Sequence, residues 1–140
     1  MLMLEQECSR LAWDKLINNF GENPEHWQDT NASEYLGALK KTPARIHTCG
    51  LGQALAFLRR GERPAQQAQT DISNLTLLLL GIGTNVTLLD MLRQNDTDFW
   101  FLATDETMRV ITWLARYLEG EGVKSKHGEE DDTDEQNEVD

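Results

Sequence analysis

Residues 33 to 63 carry two helical patterns that cannot form one straight rod. The first contains Pro43, and Gly50-Leu51-Gly52 separates it from the second. At about 100° per residue from Leu51, Leu51, Ala54, Leu55 and Leu58 share one side. Gly52, Gln53, Ala56, Arg59, Arg60 and Arg63 share the other. From Ser33, the same step gathers Tyr35, Ala38, Leu39, Thr42, Ile46 and Cys49 into an inward side. Lys41, Arg45 and Thr48 fall together on the outward side, with Lys40 and His47 on its far shoulder. Pro43 removes a backbone donor, frees the carbonyl of Leu39 and disfavours helical angles at Thr42. A kink or break between Leu39 and Thr42 is therefore predicted. Gly50 suits the position just past a helix end, and Gln53 to Leu58 restarts with strong helix formers.

Two hinged helices thus share a cationic strip. Gly52 and Ala56 are small, so the surface between the arginines is low and a backbone can approach it. Arginine forks match phosphate geometry. The strip reads as a surface that lies against a polyanion inside a larger assembly; the plain alternative is a solvated basic face on an ordinary core helix. Net charge sharpens the first reading. The chain of 140 residues carries a formal charge of −11. Glu129 to Asp140 holds eight acids and no base, while residues 1 to 123 hold sixteen acids and eleven bases. Six of those eleven bases lie between Lys40 and Arg63, opposed only by Glu62. A free-standing nucleic-acid binder is usually basic overall, so local contact inside an assembly fits better. Screening over about 8 Å lets the strip act despite distant acids.

The rest of the chain predicts helices. Leu4, Cys8, Leu11, Ala12, Trp13, Leu16, Ile17 and Phe20 give the first helix, about 2 to 20, a broad apolar side, and Gly21-Glu22-Asn23-Pro24 ends it. Residues 25 to 31 form an irregular connection with Trp27 as an anchor. Ser33 caps the second helix, with Glu34 in its first turn. The third ends near Gly61, with Pro64 blocking continuation. Thr70-Asp71 opens a fourth through about Leu80, whose leucine run implies burial on several sides. Gly81 to Asn85 is a turn, and a fifth helix covers about 86 to 94. Asp96-Thr97-Asp98 caps a short segment through Ala103. Thr104 then caps a last long helix with a core stripe of Met108, Ile111, Ala115 and Leu118. Arg109 and Arg116, seven apart, either extend the basic strip or form a solvated pair. No strand alternation or internal repeat appears. The fold class is all-α: a compact bundle of about five to six helices over residues 1–120, with a flexible acidic tail over 121–140 too polar to offset its ordering entropy.

Catalytic chemistry is not in view. His26, His47 and His127 fall on a loop, a helix shoulder and the tail, with no metal-ligand spacing and no nucleophile elbow. Gly81-Ile82-Gly83-Thr84 lacks the lysine of a phosphate-cradling loop. Cys8 and Cys49 both fall on apolar faces and read as buried free thiols. No enzyme activity, metal or cofactor is expected. Glu5 and Glu7 interrupt any secretory leader. The apolar run 75 to 82 falls short of the ~20 residues a membrane span needs. A cytoplasmic location is expected.

Pro43 followed by Thr48-Cys49-Gly50-Leu51-Gly52-Gln53-Ala54-Leu55-Ala56-Phe57-Leu58 resembles the signature of a known family: the small helical subunit of type III-B CRISPR effectors, the fifth-subunit family of the Cmr complex. The runs Phe99 to Met108 and Ile111 to Leu118 are similar to that family's last helices. The resemblance spans roughly residues 4 to 120; the family usually has asparagine at the position of Cys49, and the acidic tail lies outside its pattern. It implies a non-catalytic subunit of an RNA-guided antiviral ribonucleoprotein. Copies would stack along backbone subunits, beside the large subunit, flanking the guide RNA–target RNA duplex. Lys41, Arg45, Arg59, Arg60 and Arg63 would then touch phosphates, mainly of the target strand, and Lys40 more weakly. Phe57 and Trp113 are either subunit contacts or core. The competing function is a helical adaptor whose arginines pair with an acidic protein.

Overall fold

The computed structural model of the chain describes residues 2–125, with side chains from Glu5 onward. In order these are α1 (Leu2–Phe20), a 3-10 helix (Pro24–Asp29), α2 (Ala32–Cys49), α3 (Leu51–Arg59), α4 (Arg63–Leu79), α5 (Leu88–Gln94) and α6 (Thr97–Gly120). No strand occurs among the described residues, so the all-α expectation holds. Helix α2 is central and packs on α3, α4 and α6; α6 also packs on α1 and α4. Leu16, Leu36, Leu39, Leu55, Leu58, Ile72, Leu77 and Leu114 fill the space between them. The side of α3 predicted to face inward is buried at all four positions, Leu51, Ala54, Leu55 and Leu58. Trp27 does anchor the first connection: its ring is enclosed, its indole N–H donates to the Gly21 carbonyl at 2.8 Å, and Trp13 and Phe20 pack against it.

The two prolines behave differently: the break expected at Pro43 does not occur, while α3 does end near Gly61 as expected. Helix α2 runs unbroken through Pro43. A proline inside a helix costs about 3 kcal/mol or more. Here Leu39, Thr42 and Ile46 around it are buried against neighbouring helices, and that packing offsets the loss. The Thr42 hydroxyl turns back to the Ala38 carbonyl at 2.8 Å. Pro64 follows the end of α3, as expected, but it also begins the next helix. It lies in the first turn of α4, which opens at Arg63 rather than Thr70, where a missing N–H leaves no bond unmade. Asp71, expected as a cap, is therefore buried inside α4.

Caps moved elsewhere too. Helix α2 starts at Ala32, and Thr30 Oγ1 accepts from its N–H at 3.1 Å, so Ser33 lies within the helix. The predicted short segment and last helix are one, α6. Asp96 caps it by accepting from Phe99 N at 3.1 Å, and Thr104 donates to the Trp100 carbonyl at 2.7 Å instead of starting a new helix. No glycine or proline interrupts 97 to 119. Because α6 touches three helices, its buried stripe is wider than expected and centres on Val110, Ile111, Leu114 and Leu118, with Met108 and Ala115 half-buried. Thr87, not Val86, caps α5. Gly50 does turn the chain between α2 and α3, at φ 88°. Residues 121 to 125, which composition assigns to the tail, lie against the bundle: Val123 is buried, and Lys124 N donates to Gln28 Oε1 at 3.0 Å. The remainder of the expected tail, 126–140, lies outside the described residues.

Candidate nucleic-acid interface

The turn at Gly50 folds α3 back on α2 and creates a groove of about 410 Å³ with the start of α4. Lys41 and Arg45, one turn apart on α2, line one wall. Phe57 from α3 and Arg60 just past its end line the other, and Leu58, Pro64 and Ala65 add apolar lining. Glu34 and Glu62 also line the groove. The Arg45 guanidinium carbon sits 4.1 Å from the centre of the Phe57 ring, the geometry of a cation–π contact. Arg59 and Arg63 are exposed at the end of α3 and the start of α4, beside Arg60 and Glu62 in the chain. Among the described residues, Arg45, Arg59, Arg60 and Arg63 enter no ion pair; Arg45 is half-buried and the other three are exposed.

Lys40 does not join them. Its ammonium pairs with Glu119 of α6 at 3.0 Å and borders a second groove, of about 330 Å³, together with Arg116. One residue is about 100° of helix, which carries Lys40 round to the α6 side. Gly52 also departs from expectation. A Cβ there would stand 3.2 Å from the Trp100 ring, so this low spot receives a core side chain of α6 rather than an approaching ligand. Trp100 is held by its indole N–H donating to Leu92 O at 2.8 Å. Cys49, expected inside, is exposed, because it ends α2 where the chain already turns away. Phe57, left open between core and surface, is 58% exposed. Its partnership with Arg45 crosses the hinge, which is why neither helix's periodicity reveals it.

Arg109 and Arg116 do not extend the strip. Arg109 is locked in the α1–α6 seam, bonding Glu5 Oε1 at 2.9 Å and Glu106 Oε1 at 2.6 Å. Trp113, the other open case, is half-buried, and its indole donates to Glu5 Oε2 at 2.7 Å. Arg116 lies over the Trp113 ring at 5.9 Å. The Trp113 bond, against burial and with help from Arg109, holds the Glu5 carboxyl below its usual range. Burial, then the Glu5 and Glu106 carboxylates, pushes the neighbouring Cys8 thiol up to about 12, so it is an inert buried thiol. A second polar knot joins α1, α2 and α4. Asp71 accepts from Asn19 at 2.7 Å, Tyr35 at 2.8 Å and Gln67 at 2.9 Å. Burial raises its carboxyl despite those bonds.

No cluster of histidine, cysteine and carboxylate side chains among the described residues has the makings of a metal site. None of the described helices is long and apolar enough to cross a membrane. Fold and groove define a small all-helical protein whose α2–α3 groove carries Lys41, Arg45 and Arg60 together with Glu34 and Glu62. Residues 4–121 match the family described as CRISPR-associated protein (Cas_Cmr5), and the chain belongs to that family, the small subunit of the type III-B Cmr complex. The crystal structure of a CRISPR-associated Cmr5 family protein from Thermus thermophilus is similar, with a TM-score of 0.63 at 20% identity, covering 83% of this chain and 95% of that one. That likeness bears on the fold. No curated protein matches the chain.

Proposed function

We propose that the chain is a non-catalytic, cytoplasmic small subunit that supports guide RNA–target RNA binding through the face shared by α2, α3 and the start of α4. Lys41, Arg45 and Arg60 line the groove, and Arg59 and Arg63 flank it. They hold ribose-phosphate backbone, mainly of the target strand, without reading bases, since pairing with the guide supplies sequence specificity. The observation that carries this reading is the meeting of Arg45 from α2 and Arg60 from the end of α3 in one groove, neither in an ion pair, with the exposed Arg59 and Arg63 next to it in the chain. Lys40, turned to Glu119, drops from first importance. Association with backbone subunits, the large subunit and further copies needs other faces. Phe101, 70% exposed, and the adjacent exposed Leu102 on α6 supply apolar area for such contacts.

The test is charge reversal in the assembled complex. Arg59→Glu with Arg60→Glu should leave the bundle folded by circular dichroism and weaken target RNA retention. For each phosphate that the protein no longer touches, the slope of log affinity against log salt should shrink by about 0.7 to 0.9. Unchanged retention at physiological salt, with loss of binding to another subunit instead, supports the adaptor reading, in which the arginines pair with an acidic protein.

A further inference from the structure

The phosphate reading leaves one part of the groove unused: Phe57, and the two carboxylates that share the space with the arginines. An aromatic ring more than half exposed in a cationic groove is a poor partner for phosphate and a good one for a flat π-system. The Arg45 guanidinium covers one side of the ring at 4.1 Å. Phe57 nevertheless stays 58% exposed and lines the groove, so part of its ring is available there. The groove volume, about 410 Å³, lies in the range of about 300 to 1,000 Å³ that holds small ligands. Part of its lining is apolar. Glu34 and Glu62 at the wall repel a phosphate and accept hydrogen bonds from the amino or imino N–H groups of a base.

We propose that this groove takes one unpaired nucleobase of a single-stranded RNA segment. The base stacks on the Phe57–Arg45 pair, while its flanking phosphates rest on Arg59, Arg60 and Arg63 outside. The carboxylates then have a reason to sit among the arginines: they mark the groove interior for base and the rim for backbone. Every base offers an amino or imino N–H to Glu34 or Glu62, so the contact adds affinity without reading sequence. The proposal rests on the RNA reading of the same surface and adds a contact that phosphates cannot supply.

The experiment separates the two. The full chain is titrated at low ionic strength, by fluorescence anisotropy, with a short cytidine-rich single-stranded RNA and with the same length carrying abasic riboses. Both probes offer the same number of phosphates. Stacking of one base on an aromatic ring is sequence-tolerant and strong enough to change affinity by about fivefold or more. The wild-type chain is expected to prefer the base-bearing RNA by at least that factor. Phe57→Leu, a change at an exposed site, should keep the fold and erase the preference, leaving affinity for the abasic probe unaltered. Arg45→Lys should erase most of it while keeping the charge. Equal affinity of the wild-type chain for both probes overturns base binding; if Arg59→Glu with Arg60→Glu still weakens both, the phosphate reading survives alone. No binding of either probe overturns base capture by this chain and leaves the phosphate reading to the charge-reversal test in the assembled complex.

Discussion

Arg45 and Arg109 are the same side chain put to opposite uses. Arg45 lines an open groove with its charge lent only to an aromatic ring. Arg109, 25% exposed, holds Glu5 and the almost enclosed Glu106, whose other oxygen, Oε2, has no partner. Burial works against the charge of Arg109, but the bonds to Glu106 and Glu5 outweigh it and raise its pKa. The difference teaches how to tell a structural cation from a binding one. A structural arginine is desolvated and saturated by carboxylates, and its removal strands a buried charge. Arg45 is half-buried with no carboxylate partner, so its removal strands no buried charge and should spare the fold.

The largest effect should come from breaking the seam. Arg109→Met leaves Glu106 buried without its cation and should lower stability by about 2–4 kcal/mol, read as a fall in urea midpoint at constant m-value. Arg45→Met should cost no more than the cation–π contact, about 0.5–1 kcal/mol at an exposed site. Equal losses at the two positions would break the contrast. A steric effect of intermediate size is expected at Gly52. Gly52→Val pushes a branched side chain into the Trp100 ring, already 3.2 Å from a bare Cβ, and overpacking typically costs about 1–3 kcal/mol; thermal melting checks it.

Acid titration sharpens the comparison through two carboxylates shifted in opposite directions. Glu5 is held low in the fold. Its stabilising contribution is present above the unfolded carboxylate value, about pH 4, and fades as pH falls through the lower folded value. Asp71 is raised by burial. Its contribution is fully present below the unfolded value and is lost as pH rises through the higher folded one. Between about pH 6 and 3, the stability gap between the native chain and Glu5→Gln should therefore narrow on acidification. The gap between the native chain and Asp71→Asn should widen in favour of the native chain. Parallel trends in the two variants would contradict the assigned shifts. The smallest effect belongs to Lys40. Its pair with Glu119 is exposed on both sides, so Lys40→Ala should change stability by about 0.5 kcal/mol or less. RNA retention should stay near the native level, whereas Arg60→Ala weakens it.

What the residues reveal in advance depends on whether a short segment decides its own structure. The inward side of α3 and the anchor Trp27 are read correctly because apolar periodicity and one large ring settle them locally. Pro43 misleads because its local penalty is overridden by burial on three neighbouring helices. Pro64 is read correctly as following the end of α3, but the start of α4 there is missed because one residue type both ends and begins helices. The division of α6 at Thr104 fails since a threonine hydroxyl bonds equally well to the carbonyl four residues back. Helix phase puts Lys41 and Arg45 on one face of α2; that Arg60 meets them in one groove is seen only in the fold. The exclusion of Lys40 depends on Glu119, far along the chain, and the fate of Arg109 depends on Glu5. The Arg45–Phe57 contact and the placing of Glu34 and Glu62 require the fold-back at Gly50, whose angle no periodicity encodes.

The claim that matters most is that RNA lies along α2, α3 and the first turn of α4. Photo-crosslinking of target RNA in the assembled complex, followed by peptide mapping of this chain, addresses it directly. Adducts concentrated between residues 41 and 63, fading as salt rises, are the expected result. Adducts confined to the α1–α6 seam, or none on this chain while target RNA is fully bound, would contradict it.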